Sequence, residues 1–205
     1  MENLILYTIL LPTIIVSIMA FKDFELMDKL KFNPAHIQNS KEWYRFFSYG
    51  FVHSDYMHLG INMWVFWIFG QGIIWHFNYF FEDLANLYFL ALYIPALAIS
   101  VIPSYLKHRN NVFYNAVGAS GAVSAVVYAS IILAPTSSLY LFLIPFPIPA
   151  WLFGILYLVY TVIMDKRGNS NIGHSAHLWG ALFGLFFMLI AKPDVYIYFF
   201  QQIFS

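Results

Sequence analysis

Apolar residues gather along this chain into six long runs separated by short polar breaks. The runs lie near 4–21, 57–77, 84–106, 116–134, 147–164 and 174–191. A helix rises 1.5 Å per residue, so about 20 apolar residues cross a hydrocarbon core roughly 30 Å thick. The pattern therefore predicts six transmembrane helices. Residues 4–21 read as a retained helix rather than a cleaved leader. No Lys or Arg precedes them, and the FKDFELMDKL that follows holds no small-residue cleavage site. The long first break, 22–56, carries charges of both signs, and the spacing of Phe24, Leu26, Met27 and Leu30 predicts a short amphipathic helix at the membrane interface. The tail 194–205, DVYIYFFQQIFS, is too short to span and reads as an aromatic interfacial anchor. The fold class is all-α: a polytopic membrane protein of one domain, 1–205, with a partly helical first loop.

Composition agrees and narrows the chemistry. Of 205 residues 61% are apolar and only 10% charged, against about a quarter charged in a soluble domain. That excludes a soluble enzyme. Ten basic residues balance ten acidic ones, leaving no electrostatic reason to expect a nucleic acid. The chain has no cysteine, which removes disulfides, thiolate metal sites and cysteine nucleophiles. The aromatic content, 21%, belongs with lipid contact and interface belts.

Polar side chains inside apolar runs are costly and mark function. Three clusters stand out: His53, His58 and Asn62 at the start of the second run, Ser120 at the start of the fourth, and His174 with His177 at the start of the sixth. Successive spans alternate in direction, so these three starts share one side of the bilayer. Ser120 and His177 each follow a polar loop by a few residues, which sets both roughly 5–8 Å below the interface. His58 and Asn62, four apart, share a helix face. A hydroxyl beside an imidazole is a nucleophile with its general base. The Asn62 amide, a His58 ring N–H and the Ser120 backbone N–H are donors suited to an oxyanion. Gly118 and Gly121 leave room around Ser120, while Gly180 and Gly184 form G-x-x-x-G on the face of His177, where a neighbouring backbone can approach. Asp55 is the one remote carboxylate, so a dyad is simpler than a triad. His53 reads as a structural hydrogen-bonder, and His174 as a cap or a water-facing residue. His53 and His58 lack a third ligand at suitable spacing, so no metal and no cofactor is expected.

These residues resemble the hallmarks of the rhomboid family of intramembrane serine proteases. The family's H-x-x-x-x-H-x-x-x-N stands as His53, His58 and Asn62, its G-x-S-G as Gly118-Ala119-Ser120-Gly121, and its A-H-x-x-G-x-x-x-G as Ala176-His177 with Gly180 and Gly184. Trp43-Tyr44-Arg45 looks like the family's Trp-Arg element with a tyrosine inserted. The resemblance covers about residues 1–191 and implies a six-helix bundle of the form usual in bacteria. It also implies Ser120 as nucleophile, His177 as base, His58 and Asn62 at the oxyanion, and His53 in support. The substrates it implies are transmembrane proteins cut near the membrane surface. A glutamate common late in the second helix is replaced here by Gly72-Ile73-Ile74, which puts one supporting hydrogen bond in question. Trp151, Phe153 and Tyr157 are bulky candidates for a side gate, with 165–171 as its cover.

By that resemblance the chain belongs in a bacterial cytoplasmic membrane with its active site open to the extracytoplasmic side. The odd breaks would then carry nine of the ten Lys and Arg outside, against the positive-inside rule. Two other classes compete with the protease: a non-catalytic membrane protein that binds transmembrane helices, and a small transporter. The intact Ser120–His177 pair disfavours the first. The lack of ionisable residues mid-span disfavours the second.

Overall fold

The computed structural model describes residues 4–140, 146–167 and 173–204. Its elements are α1 (Leu4–Ala20), α2 (Phe24–Leu30), α3 (Pro34–Ser40), α4 (Arg45–Ser48), α5 (Tyr56–Phe81), α6 (Ala85–His108), α7 (Ser120–Leu133), α8 (Ala150–Arg167), α9 (His174–Ala191) and α10 (Val195–Phe204). Between α7 and α8 a two-residue antiparallel ribbon, β1 (Ser138–Leu139) with β2 (Ile148–Pro149), pairs Ser138 with Pro149. All six apolar runs contain a helix, and the tail forms α10.

Length and apolarity together mark the stretch Tyr56–His108, which holds α5 and α6, and the helix His174–Ala191 as able to cross a membrane. The other helices are shorter or less apolar, so of the six spans expected from hydropathy only those in these two stretches meet both criteria among the described residues. The fourth run departs most. It is helical only from Ser120 onward, because Ala116 is drawn into a bridge with Phe32 and Gly118 takes a φ of 104°. Its 14 residues cover about 21 Å, less than a hydrocarbon core. Twelve of them are buried, so α7 is the central helix, enclosed by α5, α6 and α9.

Side chains from the loops start the helices. Asp23 accepts from Leu26 N (3.0 Å), Asn33 from His36 N (2.9 Å) with Pro34 following, and Asp55 from His58 N (2.8 Å). Each cap satisfies an amide that the helix itself leaves unpaired. Helix α2 matches the amphipathic helix read from the sequence, with no buried residue and Phe24 79% exposed.

The first loop is held together by Arg45, which is 3% exposed. Its Nη1 donates to Asp28 O (2.7 Å) and Lys31 O (2.8 Å), and its Nε donates to the Glu42 carboxylate. The loop in turn grips the approach to α7. Phe32 and Ala116 exchange backbone bonds of 2.9 and 3.0 Å. Asn33 Nδ2 donates to Val112 O and Asn115 Oδ1, and Gly118 N donates to Tyr49 O at 3.0 Å. Tyr49, fully inside, donates its hydroxyl to Leu97 O on α6 (2.7 Å).

Two outcomes follow for Arg45. Arg45→Ala strands two carbonyls, at about 1–3 kcal/mol for each buried acceptor left unpaired, and lowers the unfolding midpoint in detergent. The hydrogen bond from Arg45 also holds the Glu42 carboxyl below its ordinary value. Its contribution to stability is therefore present above the unfolded carboxylate pKa and lost as pH falls through the lowered one. Thermal melts of parent and Arg45→Ala at neutral and acid pH will show this as a gap that narrows with acidification.

Candidate active site

Small residues decide where α7 and α9 meet. A methyl on Gly180 would overlap the carbonyl oxygen of Gly121, and one on Gly184 would overlap that of Ala125. A methyl on Gly121 would come within 3.3 Å of Ala176 O and overlap the Ser100 hydroxyl of α6. The two backbones are thus in direct contact through Gly121, Ala125, Gly180 and Gly184, with no side chain between them. Ser120 stands one residue before Gly121. His177 stands one residue after Ala176 and one turn before Gly180. The contact therefore brings the ends that carry Ser120 and His177 together.

His177 is oriented from a third helix. The hydroxyl of Tyr157 on α8 is hydrogen-bonded to His177 Nδ1 at 2.9 Å, with the two rings nearly stacked. That leaves Nε2 as the free nitrogen. Among the described residues no hydrogen bond joins Ser120 to His177. In the sequence Tyr157 stands out for its bulk alone. A contact between residues 20 apart on different helices leaves no local trace.

The second cluster lies against the same segment. A methyl on Gly118 would sit 2.7 Å from His58 Cε1 and 2.9 Å from Nε2, and 3.6 Å from His53 Cδ2. Both imidazoles therefore face the backbone two residues before Ser120. The positive φ of Gly118 is a second reason for glycine there. His58 Nδ1 lies 3.0 Å from Ser54 Oγ, which donates to Asp55 Oδ2 at 2.7 Å. His53, fully buried, bonds through Nδ1 to Ser17 Oγ of α1 at 2.9 Å, while Ser17 donates to Phe51 O. Asn62 turns one amide N–H back to His58 O at 3.1 Å, which leaves its other N–H uncommitted.

His174, expected as a cap or a water-facing residue, is neither. Gly173 occupies the cap position, and His174 is 3% exposed against the Tyr160 ring. Trp151 and Phe153 lie half-buried on α8, whereas residues 168–171 of the expected cover fall outside the described residues.

A Rhomboid domain model matches residues 40–193, a span that holds every residue of both clusters except Ser17. The chain belongs to the rhomboid family. Among its relatives, the human presenilin-associated rhomboid-like protein, mitochondrial, is 31% identical over 144 residues, 67% of this chain and 35% of that protein. The Saccharomyces cerevisiae rhomboid protein 1, mitochondrial, is 26% identical over 140 residues, 67% of this chain and 38% of that protein. The Arabidopsis thaliana RHOMBOID-like protein 12, mitochondrial, is 49% identical over 65 residues, 31% of this chain and 19% of that protein. The chain spans between a fifth and two fifths of the length of these relatives. They overturn the bacterial cytoplasmic membrane expected from the sequence, since each is named as a mitochondrial protein. Hydropathy measures whether a segment crosses a membrane and carries nothing about which membrane it crosses.

The backbone contact sets a clear expectation. Gly180→Ala gains helix propensity of at most about 1 kcal/mol and loses more to overpacking, which typically costs 1–3 kcal/mol. The variant should melt lower than the parent in the same detergent. Gly60→Ala, where a methyl meets nothing within 4 Å, should melt at or above the parent and serves as the comparison.

Proposed function

We propose that this chain is an intramembrane serine endopeptidase that cleaves transmembrane proteins. The observation that carries the reading is the direct contact of α7 and α9, with Ser120 and His177 beside it and His177 Nδ1 bonded to Tyr157. In this mechanism His177 keeps its proton on Nδ1, donated to the Tyr157 hydroxyl, and offers Nε2 as the base. Ser120 Oγ attacks the scissile carbonyl as Nε2 takes its proton. The carbonyl oxygen becomes an oxyanion, met by the Ser120 backbone N–H, the free Asn62 N–H and the His58 ring. The proton then passes from Nε2 to the leaving amine and the C–N bond breaks. Water, deprotonated by the same nitrogen, hydrolyses the acyl-enzyme.

Water has to reach this site. Helix α7 is about 9 Å shorter than a hydrocarbon core, so its first residue can lie below the membrane surface and still face a polar vestibule. The first loop and residues 107–118 would form the wall of that vestibule. Six membrane crossings, α1 and α5 to α9, suit this reading, and the names of the relatives favour a mitochondrial membrane. Substrate would enter beside α8, which has only three buried residues, Ala150, Gly154 and Thr161. Its half-buried Trp151 and Phe153 suit a side gate.

Protein reconstituted in liposomes with a transmembrane substrate tests the proposal. Ser120→Ala should abolish cleavage and labelling by a fluorophosphonate, and Asn62→Ala should lower kcat by about 10²–10³. Equal cleavage by parent and Ser120→Ala would refute the proposal. A parent that binds but never cuts would instead favour a helix-binding protein on the same scaffold. Tyr157→Phe should lower kcat by about 10²-fold, the scale expected when a catalytic group is misplaced by an ångström, while KM stays near the parent's. An unchanged kcat would remove Tyr157 from the mechanism.

A further inference from the structure

The partners of His58, Ser54 and Asp55, are exposed, and their order has a chemical consequence. Asp55 uses its two oxygens for different tasks. Oδ1 accepts the His58 backbone N–H at 2.8 Å as the cap of α5, and Oδ2 accepts the Ser54 hydroxyl at 2.7 Å. Asp55 is exposed and borders a cleft of about 430 Å³ between the end of α1, α2 and the start of α5, with Lys22, Phe24 and Tyr56 around it. The hydrogen bonds from the His58 N–H and the Ser54 hydroxyl hold its carboxyl below the usual carboxylate range, so it is ionised at neutral pH.

An ionised carboxylate only accepts. The single hydroxyl hydrogen of Ser54 is therefore committed to Asp55, and Ser54 Oγ is left as an acceptor towards His58. The nitrogen 3.0 Å away, His58 Nδ1, must then carry the proton. The Ser54 backbone N–H also points at Nδ1, at 3.4 Å, but this long contact is weaker than the charge-assisted chain through the hydroxyl, at 2.7 and 3.0 Å, which sets the proton. With Nδ1 protonated, neutral His58 presents a bare Nε2 towards Gly118. It can donate from Nε2 only as the imidazolium.

We propose that Asp55 and Ser54 are positioning residues that fix the proton of neutral His58 on Nδ1, so that His58 donates to an oxyanion only when it is charged. The catalytic half of this statement rests on the protease reading, and the tautomer half does not. The titratable groups facing His58 are Asp55 on its own helix cap, His53 on the preceding turn and His177 on α9. His53 donates its Nδ1 proton to Ser17, because the Ser17 hydrogen is committed to Phe51 O. It therefore takes no part in the Asp55–Ser54 chain.

Asparagine at position 55 should reverse the chain. The cap still requires an oxygen facing the His58 N–H, so the amide group of Asn turns towards Ser54 and donates to it. Ser54 then donates to Nδ1, and the proton of neutral His58 moves to Nε2. The test is nitrogen NMR of ¹⁵N-histidine-labelled parent, Asp55→Asn and Ser54→Ala in nanodiscs, with His58 assigned by its loss in His58→Asn. The parent should show the proton on Nδ1, Asp55→Asn should show it on Nε2, and Ser54→Ala should show a mixture with the cap intact. A parent already protonated on Nε2, or an Asp55→Asn protein with the parent's tautomer, would overturn the proposal.

Cleavage against pH supplies the second reading. The parent's kcat should fall by about 10²–10³ as pH rises through the pKa of His58, the typical effect of losing one oxyanion donor. Asp55→Asn should hold its rate across that range. The same fall in both proteins would overturn the catalytic half. If the tautomer reverses in a parent that cleaves nothing, the relay stands and the protease reading fails.

Discussion

The site depends on a contact between two helix backbones. Lipid tails are as apolar as leucine, so nothing resembling the hydrophobic effect drives helices together inside a bilayer, and close packing has to do so. Here α7 and α9 pack backbone against backbone, because Gly121, Gly180 and Gly184 put no side chain in the way. Ser120 and His177 have no hydrogen bond of their own in this state. Their nearness is a property of the crossing, and each lies within one turn of it.

The remaining parts of the site are arranged around that crossing. From α8, Tyr157 fixes which nitrogen of His177 is free. On the other side, the first loop grips the segment 112–118 through Asn33, Phe32 and the Tyr49 carbonyl, and so sets the height at which α7 begins. Arg45 closes the loop on itself by supplying donors to carbonyls that its turns would otherwise leave unpaired. A charged, polar loop can thus be rigid at a membrane interface, since its own backbone consumes its donors.

Much of this was legible in the sequence, and the limits are physical. Each of the six apolar runs holds a helix, and the sixth run, 174–191, has the bounds of α9 itself, but only the Tyr56–His108 stretch and α9 are long and apolar enough to cross a membrane. The G-x-x-x-G after His177 pointed to a close backbone approach, and that approach is present. The start of α7 was misplaced because a bridge to Phe32, 84 residues earlier in the chain, overrides the local apolar pattern of 116–119. Ser17, Ser54 and Tyr157 were missed as partners of His53, His58 and His177. Ser17 and Tyr157 meet their partners from other helices and so leave no local pattern, whereas Ser54, in the turn four residues before His58, was within reach of a local reading. The membrane of residence was misread, because hydropathy says that a segment can cross a membrane and not which membrane it crosses.

The central claim is that α7 and α9 bring Ser120 Oγ and His177 Nε2 to one reacting carbonyl. Its most direct test is a structure of the protein inactivated by a chloroisocoumarin, which acylates a serine and then alkylates an adjacent imidazole. The account predicts one inhibitor molecule bonded to both Ser120 Oγ and His177 Nε2, with the Tyr157 hydrogen bond to Nδ1 preserved. An adduct on another side chain, or on Ser120 with His177 turned away, would contradict it.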